Sequence, residues 1–362
     1  MSMEVAVLGG GHGCYAAAAE LSEHGHRVRF WRRDAVAFAP VLTTGRIEIC
    51  DFKGRREVRV AMPTTSLSKA IDGAEAIIVP LPATVHEALA VELSSLLQDG
   101  QVVYLPPGTF GSYIFLRALR SAGNKADVSF AETGTLPYLA RKHGESEVVV
   151  TAYAKHLPTG VLPARNSSHA LTRLKILYPA IEAIDDSLSA ALMNAGPIIH
   201  PPLIILNAGP LEHFERWDIH NEGTQPAIRR VTDALDAERI SLRESLGYRG
   251  PHFPLADHYA KEGTEWMYGR AAHERLTKSG DWREKIDLGA HRYMSEDTCI
   301  GLSFLASVGR WTRVPTPIAT GLLSIASAIT GRDLLSGGRT LEALHLAKLS
   351  LIEMKDLLRQ GF

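Results

Sequence analysis

The stretch Val5-Ala6-Val7-Leu8-Gly9-Gly10-Gly11-His12-Gly13-Cys14-Tyr15-Ala16-Ala17-Ala18-Ala19-Glu20-Leu21 decides the fold. An apolar, β-branched run ends in glycines and passes without a break into an alanine-rich helical stretch, the strand, turn and helix order of a dinucleotide-binding βαβ unit. Gly9 permits the tight turn after the strand, and Gly11 lets a pyrophosphate approach the backbone. Gly13 completes the glycine set, and the small Cys14 allows close packing of helix on strand. The start of the helix offers N–H groups and positive partial charge to the phosphates. Gly9, Gly11, Gly13 and Cys14 are therefore the expected cofactor-binding residues, with Cys14 as a packing residue and not a reactive thiol.

Working outward, Arg27–Trp31 reads as a second strand ending in Trp31-Arg32-Arg33-Asp34. In such units an acidic residue about 20 positions past the glycines accepts from the ribose 2′-hydroxyl, whereas arginine accommodates a 2′-phosphate. Arg32 and Arg33 occupy that place and Asp34 comes late, so NADP(H) is favoured over NAD(H). Further strands are expected at Ala76–Val79, Val102–Leu105 and Val128–Ala131, with helices at Ala16–His24, Val85–Leu97 and Tyr113–Ser121. Arg46–Ile49 and Glu57–Val60 around the Asp51–Gly54 turn read as an inserted hairpin, and Val148–Ala152 as an extension of the sheet. After about Ile184 helical periods take over: Ser187–Asn194, Ala227–Leu246, Thr298–Ser307, Pro317–Thr330 and Thr340–Leu358. The polar, glycine-rich stretch from Tyr248 to about Ala290 is expected to be irregular. The expected fold is an α/β N-terminal Rossmann-type, doubly wound parallel sheet over residues 1–184, followed by an all-α substrate-binding and catalytic domain over 185–362.

Composition narrows the partners. The 39 Lys plus Arg against 40 Asp plus Glu leave a net charge of −1, which provides no field for nucleic acid or an anionic membrane, so small molecules are the expected partners. Hydrophobic residues at 45% and charged residues at 22% suit a globular interior. Cys14, Cys50 and Cys299 are far apart and form no C-x-x-C pair, which argues against a disulfide framework or a zinc site and for a reducing cytoplasm. The apolar Thr340–Leu358 pattern suits a homodimer interface or intramolecular packing equally.

Chemistry in the second half rests on Asn194-Ala195-Gly196-Pro197-Ile198-Ile199-His200-Pro201-Pro202 and His291-Arg292-Tyr293-Met294-Ser295-Glu296-Asp297-Thr298. Dehydrogenases of this architecture that act on glycerol 3-phosphate, ketopantoate or hydroxyacids use a helical lysine, often with asparagine three or four residues on. No lysine here has that spacing. With Glu132–Tyr138, Glu222–Pro226 and Val314–Pro317, the two segments resemble the octopine/nopaline (opine) dehydrogenase family along nearly the whole chain. The resemblance implies reductive condensation of an amino acid amino group with a 2-keto acid, using NADH or NADPH, to an N-(carboxyalkyl)amino acid. By position it implies His200 as the catalytic histidine, Asp297 as its partner, Arg292 as a substrate-binding arginine, and Asn194 as the family's asparagine before the histidine.

The residue types suit those roles. Imine reduction needs a proton donor near neutrality, histidine supplies one, and a carboxylate on the far ring nitrogen fixes the tautomer. A guanidinium holds a carboxylate by a two-pronged hydrogen bond. Simpler readings stand beside these: an i,i+4 ion pair for Arg292 and Glu296, and a helix cap for Asn194. A 2-hydroxyacid or hydroxyacyl dehydrogenase and a non-catalytic dinucleotide sensor are the competing functions.

Overall fold

Twelve strands, interspersed with helices, make up the first half of the computed structural model, which describes residues 2–362. They are β1 (Glu4–Leu8), β2 (Arg27–Trp31), β3 (Arg46–Asp51), β4 (Gly54–Arg59), β5 (Met62–Thr64), β6 (Ala76–Ile78), β7 (Val102–Leu105), β8 (Ser129–Thr133), β9 (Tyr138–His143), β10 (Glu147–Tyr153), β11 (Leu157–Leu162) and β12 (Ile181–Ala183). Eight of them form one sheet in the order β12-β11-β8-β7-β6-β1-β2-β5, and four form a second in the order β4-β3-β10-β9. β1 lies inside the large sheet with both faces covered, which is why Val5 to Leu8 is a continuous apolar run with no exposure.

The helix after the glycines, α1 (His12–Glu23), carries four consecutive fully buried alanines, Ala16 to Ala19. It packs against β1 and β2 of the large sheet and against all four strands of the small one. Small side chains let both sheets approach one helix. The inserted hairpin forms as its turn chemistry predicts, with β3 antiparallel to β4 and Asp51 opposite Gly54.

Two expectations need correction here. Val148–Ala152 does not extend the large sheet: β10 pairs with β3 and β9, and its residues alternate between buried and partly exposed, as in a sheet covered on one face. Nor is the large sheet wholly parallel, because β11 runs antiparallel to β8. β11 escaped the sequence reading because Pro158 and Gly160 interrupt its pattern. Gly160 is required there, since a Cβ would lie 1.8 Å from the Asp186 carbonyl oxygen.

The chain divides into two compact units. One comprises the chain to Leu81, Val85–Ala190 and Leu357–Phe362; the other comprises Pro82–Thr84 and Ala191–Asp356. Among the described residues the second unit contains helices and no strand beyond an isolated Trp217–Glu284 bridge. Its principal helices are Gly196–Leu206, Pro226–Ser245, Ser303–Thr312 and Pro317–Thr330, with a π-helical segment at Tyr293–Leu302. The expected Thr340–Leu358 helix begins only at Leu351. Ser350 and Glu353 form a reciprocal capping box there, with Ser350 Oγ accepting from the Glu353 N–H and the Glu353 carboxylate from the Ser350 N–H, and this fixes the start. Residues 187–206 have a mean hydropathy of 1.3 over their most apolar window, and 83% of that window is buried within the protein.

Candidate active site

The glycine loop belongs to the first unit. Gly9 has φ +118°, and a Cβ on it would meet Leu81 Cδ2 at 2.4 Å and Cys14 Sγ at 2.8 Å, so turn and packing both demand glycine. Gly13 is tight as well, with Leu136 and Pro80 against the missing Cβ. Gly11 differs: a Cβ there would meet nothing within 4 Å, and α1 starts at this point without a side-chain cap. Open space beside an uncapped helix N-terminus suits a pyrophosphate. Cys14 is fully buried, its Sγ–H faces the Leu8 and Pro80 carbonyls, and burial pushes the thiol up to about 12, as befits a packing residue.

At the end of β2 the two arginines part. Arg32 lies over the glycine turn, where a Cβ on Gly10 would meet its Nε at 2.4 Å, and its Nη1 donates to the Ala37 carbonyl and the Tyr15 hydroxyl. Arg33 turns to an exposed ion pair with Glu92. Asp34 is spent locally, accepting from the Ala37 N–H. The quoted Glu132 is a structural anchor: its fully buried carboxylate accepts from the Phe110 and Ser112 N–H groups and so holds the loop before the Gly111–Ser121 helix, where Thr109 and Phe110 adopt positive φ.

In the second unit His200 stands within the Gly196–Leu206 helix. Asn194 is buried, and its side-chain oxygen accepts from the N–H of Gly196, the first residue of the helix, whose N-cap is Ala195 and carries no side-chain cap. Pro201 and Pro202 follow His200 inside the helix and cannot donate to the carbonyls four residues back. The His200 ring stacks on Tyr293, with centroids 3.8 Å apart and planes inclined by 15°, and meets His220 edge-on at 5.7 Å.

Asp297 arrives from the π-helical segment. Its Oδ2 lies 2.8 Å from His200 Nδ1, an N–H donating to a buried carboxylate across 97 positions of sequence. Burial raises the Asp297 carboxyl to about 6, opposed by the charges of Arg292 and His291. Space is tight around the pair: a Cβ on Gly196 would lie 2.2 Å from Asp297 Oδ1, and one on Gly301 would lie 2.1 Å from Pro197 Cγ. Both glycines let the π segment close on the helix that carries His200.

Arg292 is half exposed, at 49%, and approaches Glu296 at 3.7 Å, an ion-pair distance too long for a hydrogen bond. Its planar fork thus keeps the capacity to bind a carboxylate. Sequence reasoning missed the role of Glu296. This buried acid accepts from the Ala83 N–H at 2.8 Å, while Arg339 donates to the Ala83 carbonyl, so the Pro82–Thr84 segment is held from both sides. No local motif signals a contact spanning more than 200 positions. Tyr293 lies in the His291–Thr298 segment, but spacing carries no signal of its stacking on His200. Trp266 and Tyr268 are buried, and Trp266 donates to the Phe253 carbonyl as a packing residue would.

Residues 183–330 match the family described as NAD/NADP octopine/nopaline dehydrogenase, alpha-helical domain, and residues 4–106 match the NAD-dependent glycerol-3-phosphate dehydrogenase N-terminus. The chain is 28% identical to an opine dehydrogenase of Arthrobacter sp. (strain 1C) over 96% of this chain and 97% of that one. It is 25% identical to vitopine synthase of Allorhizobium ampelinum over 98% and 99%. The fold is similar to octopine dehydrogenase in complex with NADH and agmatine, with a TM-score of 0.72 at 19% identity over 96% and 98% of the two chains. NADP+-bound yersinopine dehydrogenase gives 0.70 at 16% identity over 98% of each. With residues 183–330 matching that family's helical domain and relatives aligned end to end, the chain resembles the octopine/nopaline (opine) dehydrogenases along nearly its whole length and is an NAD(P)-dependent oxidoreductase.

Proposed function

We propose that this chain condenses the amino group of an amino acid with a 2-keto acid and reduces the resulting imine, giving an N-(carboxyalkyl)amino acid, with His200 and Asp297 as its proton-exchanging pair. The balance is amine plus ketone giving imine plus water, then imine plus NAD(P)H plus one proton giving the secondary amine and NAD(P)+. The nicotinamide supplies the hydride when bound; the chain supplies the proton and the positioning. Gly9, Gly11, Gly13, Cys14 and Arg32 form the dinucleotide site, and Arg33 neighbours it. Arg32 at the end of β2 is the basis for favouring NADP(H) over NAD(H).

The observation that carries this reading is the buried 2.8 Å contact between His200 Nδ1 and Asp297 Oδ2. A carboxylate on Nδ1 fixes the tautomer that leaves proton exchange to Nε2, and its charge favours the imidazolium needed to protonate a nascent amine. Arg292 offers its guanidinium to a substrate carboxylate. Asn194 is proposed to border the same substrate while holding the helix that carries His200. The three cysteines are free, which fits the reducing cytoplasm proposed as its compartment.

A matrix of amino acids against 2-keto acids, followed by NADPH and NADH absorbance with mass identification of the product, tests the reading. Cofactor oxidation that requires both substrates, with a product mass equal to the condensed and reduced pair, is expected. Oxidation by keto acid alone, yielding a hydroxyacid, would replace it with a hydroxyacid dehydrogenase.

A further inference from the structure

We propose that Lys142, from the four-stranded sheet, joins Arg32 and the Tyr15 hydroxyl to bind the adenosine 2′-phosphate of NADP(H), and so is a specificity-determining residue for the cofactor. Lys142 lies on β9, outside the eight-stranded sheet and about 130 positions from the glycine loop. Its backbone N–H donates to His12 Nδ1 at 2.8 Å, which ties the end of β9 to the first residue of α1. Its ammonium lies 4.4 Å from the centroid of the Tyr15 ring, and the hydroxyl of that ring accepts from Arg32 Nη1 at 3.2 Å. Three residues from three elements thus converge beside Gly10, over which Arg32 itself lies.

The electrostatics favour an anion at this cluster. Among the described residues neither Arg32 nor Lys142 has a carboxylate within ion-pair distance, whereas Arg33 has Glu92, Arg29 has Glu4 and Arg56 has Glu23 and Asp51. Glu145, exposed on the turn after β9, is the acid whose charge reaches Lys142. Burial and the nearby Arg32 charge lower the proton affinity of Lys142, as expected of two cations brought together without a neutralising group. A tyrosine face and a carbonyl oxygen do not offset that repulsion, but a dianionic phosphate accepting from a guanidinium, an ammonium and a phenol does. The glycine loop would place the adenosine end of a dinucleotide at the end of β2, beside this cluster. An insertion sheet supplies the second cation, so no motif at the end of β2 could have indicated it.

This inference rests on the dinucleotide reading of the glycine loop, and its test separates the two. Dissociation constants for NADPH and NADH are measured by fluorescence titration for the wild type, Lys142→Met and Lys142→Arg, at two salt concentrations. Lys142→Met should weaken NADPH at least tenfold and change NADH less than twofold, Lys142→Arg should retain most NADPH affinity, and the wild-type preference for NADPH should shrink at high salt. Unaltered NADPH affinity in Lys142→Met, or equal losses for both cofactors, overturns the role of Lys142 while leaving the dinucleotide site in place. Wild-type protein that binds NADH but not NADPH also overturns it. Absence of binding to both cofactors by folded wild type would overturn the dinucleotide reading itself. Should Lys142→Met not fold, Lys142→Arg and the wild-type salt dependence decide the matter.

Discussion

His200 and Asp297 are useful as a pair because each answers a need of the other. A carboxylate in a site this buried resists ionisation unless a donor faces it, and an imidazole without an acceptor on Nδ1 is not held in the Nδ1–H tautomer that leaves Nε2 free for proton exchange. His200→Ala and Asp297→Asn should each lower turnover by about 10²-fold or more with dinucleotide affinity nearly intact, and the double variant should be little worse than the worse single one. Steady-state kinetics beside cofactor titration measures both quantities. Because burial raises Asp297 to about 6, acidification through that pH protonates the carboxyl and removes the charge that supports the imidazolium. Turnover should therefore fall on the acid side with a macroscopic value belonging to the pair, and that limb should change shape in Asp297→Asn. Arg292→Lys tests the carboxylate anchor: an ammonium cannot reproduce the planar fork, so KM should rise for one substrate and stay level for the cofactor. Equal changes for all reactants would reduce Arg292 to the ion partner of Glu296.

Two elements set the geometry around these residues. At the N-terminus of α1 the glycines differ in what they permit, and Gly11 alone of the motif faces open space. Gly11→Val should fold normally yet weaken dinucleotide binding tenfold or more, at least about 1.4 kcal/mol, because the branched side chain occupies space a pyrophosphate needs. Circular dichroism with a binding titration would show whether folding and affinity separate. In the π-helical segment the contact of Gly301 with Pro197 is the counterpart. Gly301→Ala should cost on the order of 1–3 kcal/mol in urea unfolding and reduce kcat, because the displaced segment carries Asp297 away from His200. A stable Gly301→Ala enzyme with full kcat would show that the seat of Asp297 is not set by this contact.

At the scale of the whole first unit, α1 joins two sheets, and the cost of doing so appears at Glu20. Burial raises its carboxyl to about 7, and it lies beside Tyr138 of β9. An acid whose folded value exceeds its unfolded value near 4.5 binds its proton better in the native state, so its contribution falls as pH rises from about 4.5 to about 7. Glu23 and Asp51, held at about 2 by Arg56 against the cost of burial, act in the opposite sense and only at lower pH. The difference in unfolding free energy between Glu20→Gln and wild type should therefore move in favour of the variant by on the order of 1–3 kcal/mol between pH 5 and pH 8. Urea melts at the two pH values measure it, and a pH-independent difference would show that Glu20 does not titrate in this range.

The sequence by itself determined what is local. The β1-glycine-α1 order, the β3–β4 hairpin and the change from strand to helical patterns follow from backbone sterics, turn chemistry and periodicity, each expressed within some 20 residues. The chemical character of the candidate site was legible too, because His200, Arg292 and Asp297 lie in segments that resemble one family. Tertiary structure alone decided what depends on chain segments meeting from far apart. It assigned β10 to the second sheet, turned Arg33 to Glu92, held Ala83 between Glu296 and Arg339, and brought Lys142 to Tyr15. Periodicity says which face of an element is apolar but not which neighbour covers it. Nor does it distinguish a π from an α turn, where the spacing that brings Asp297 to His200 is set by Gly196, Pro197 and Gly301 packing across the contact.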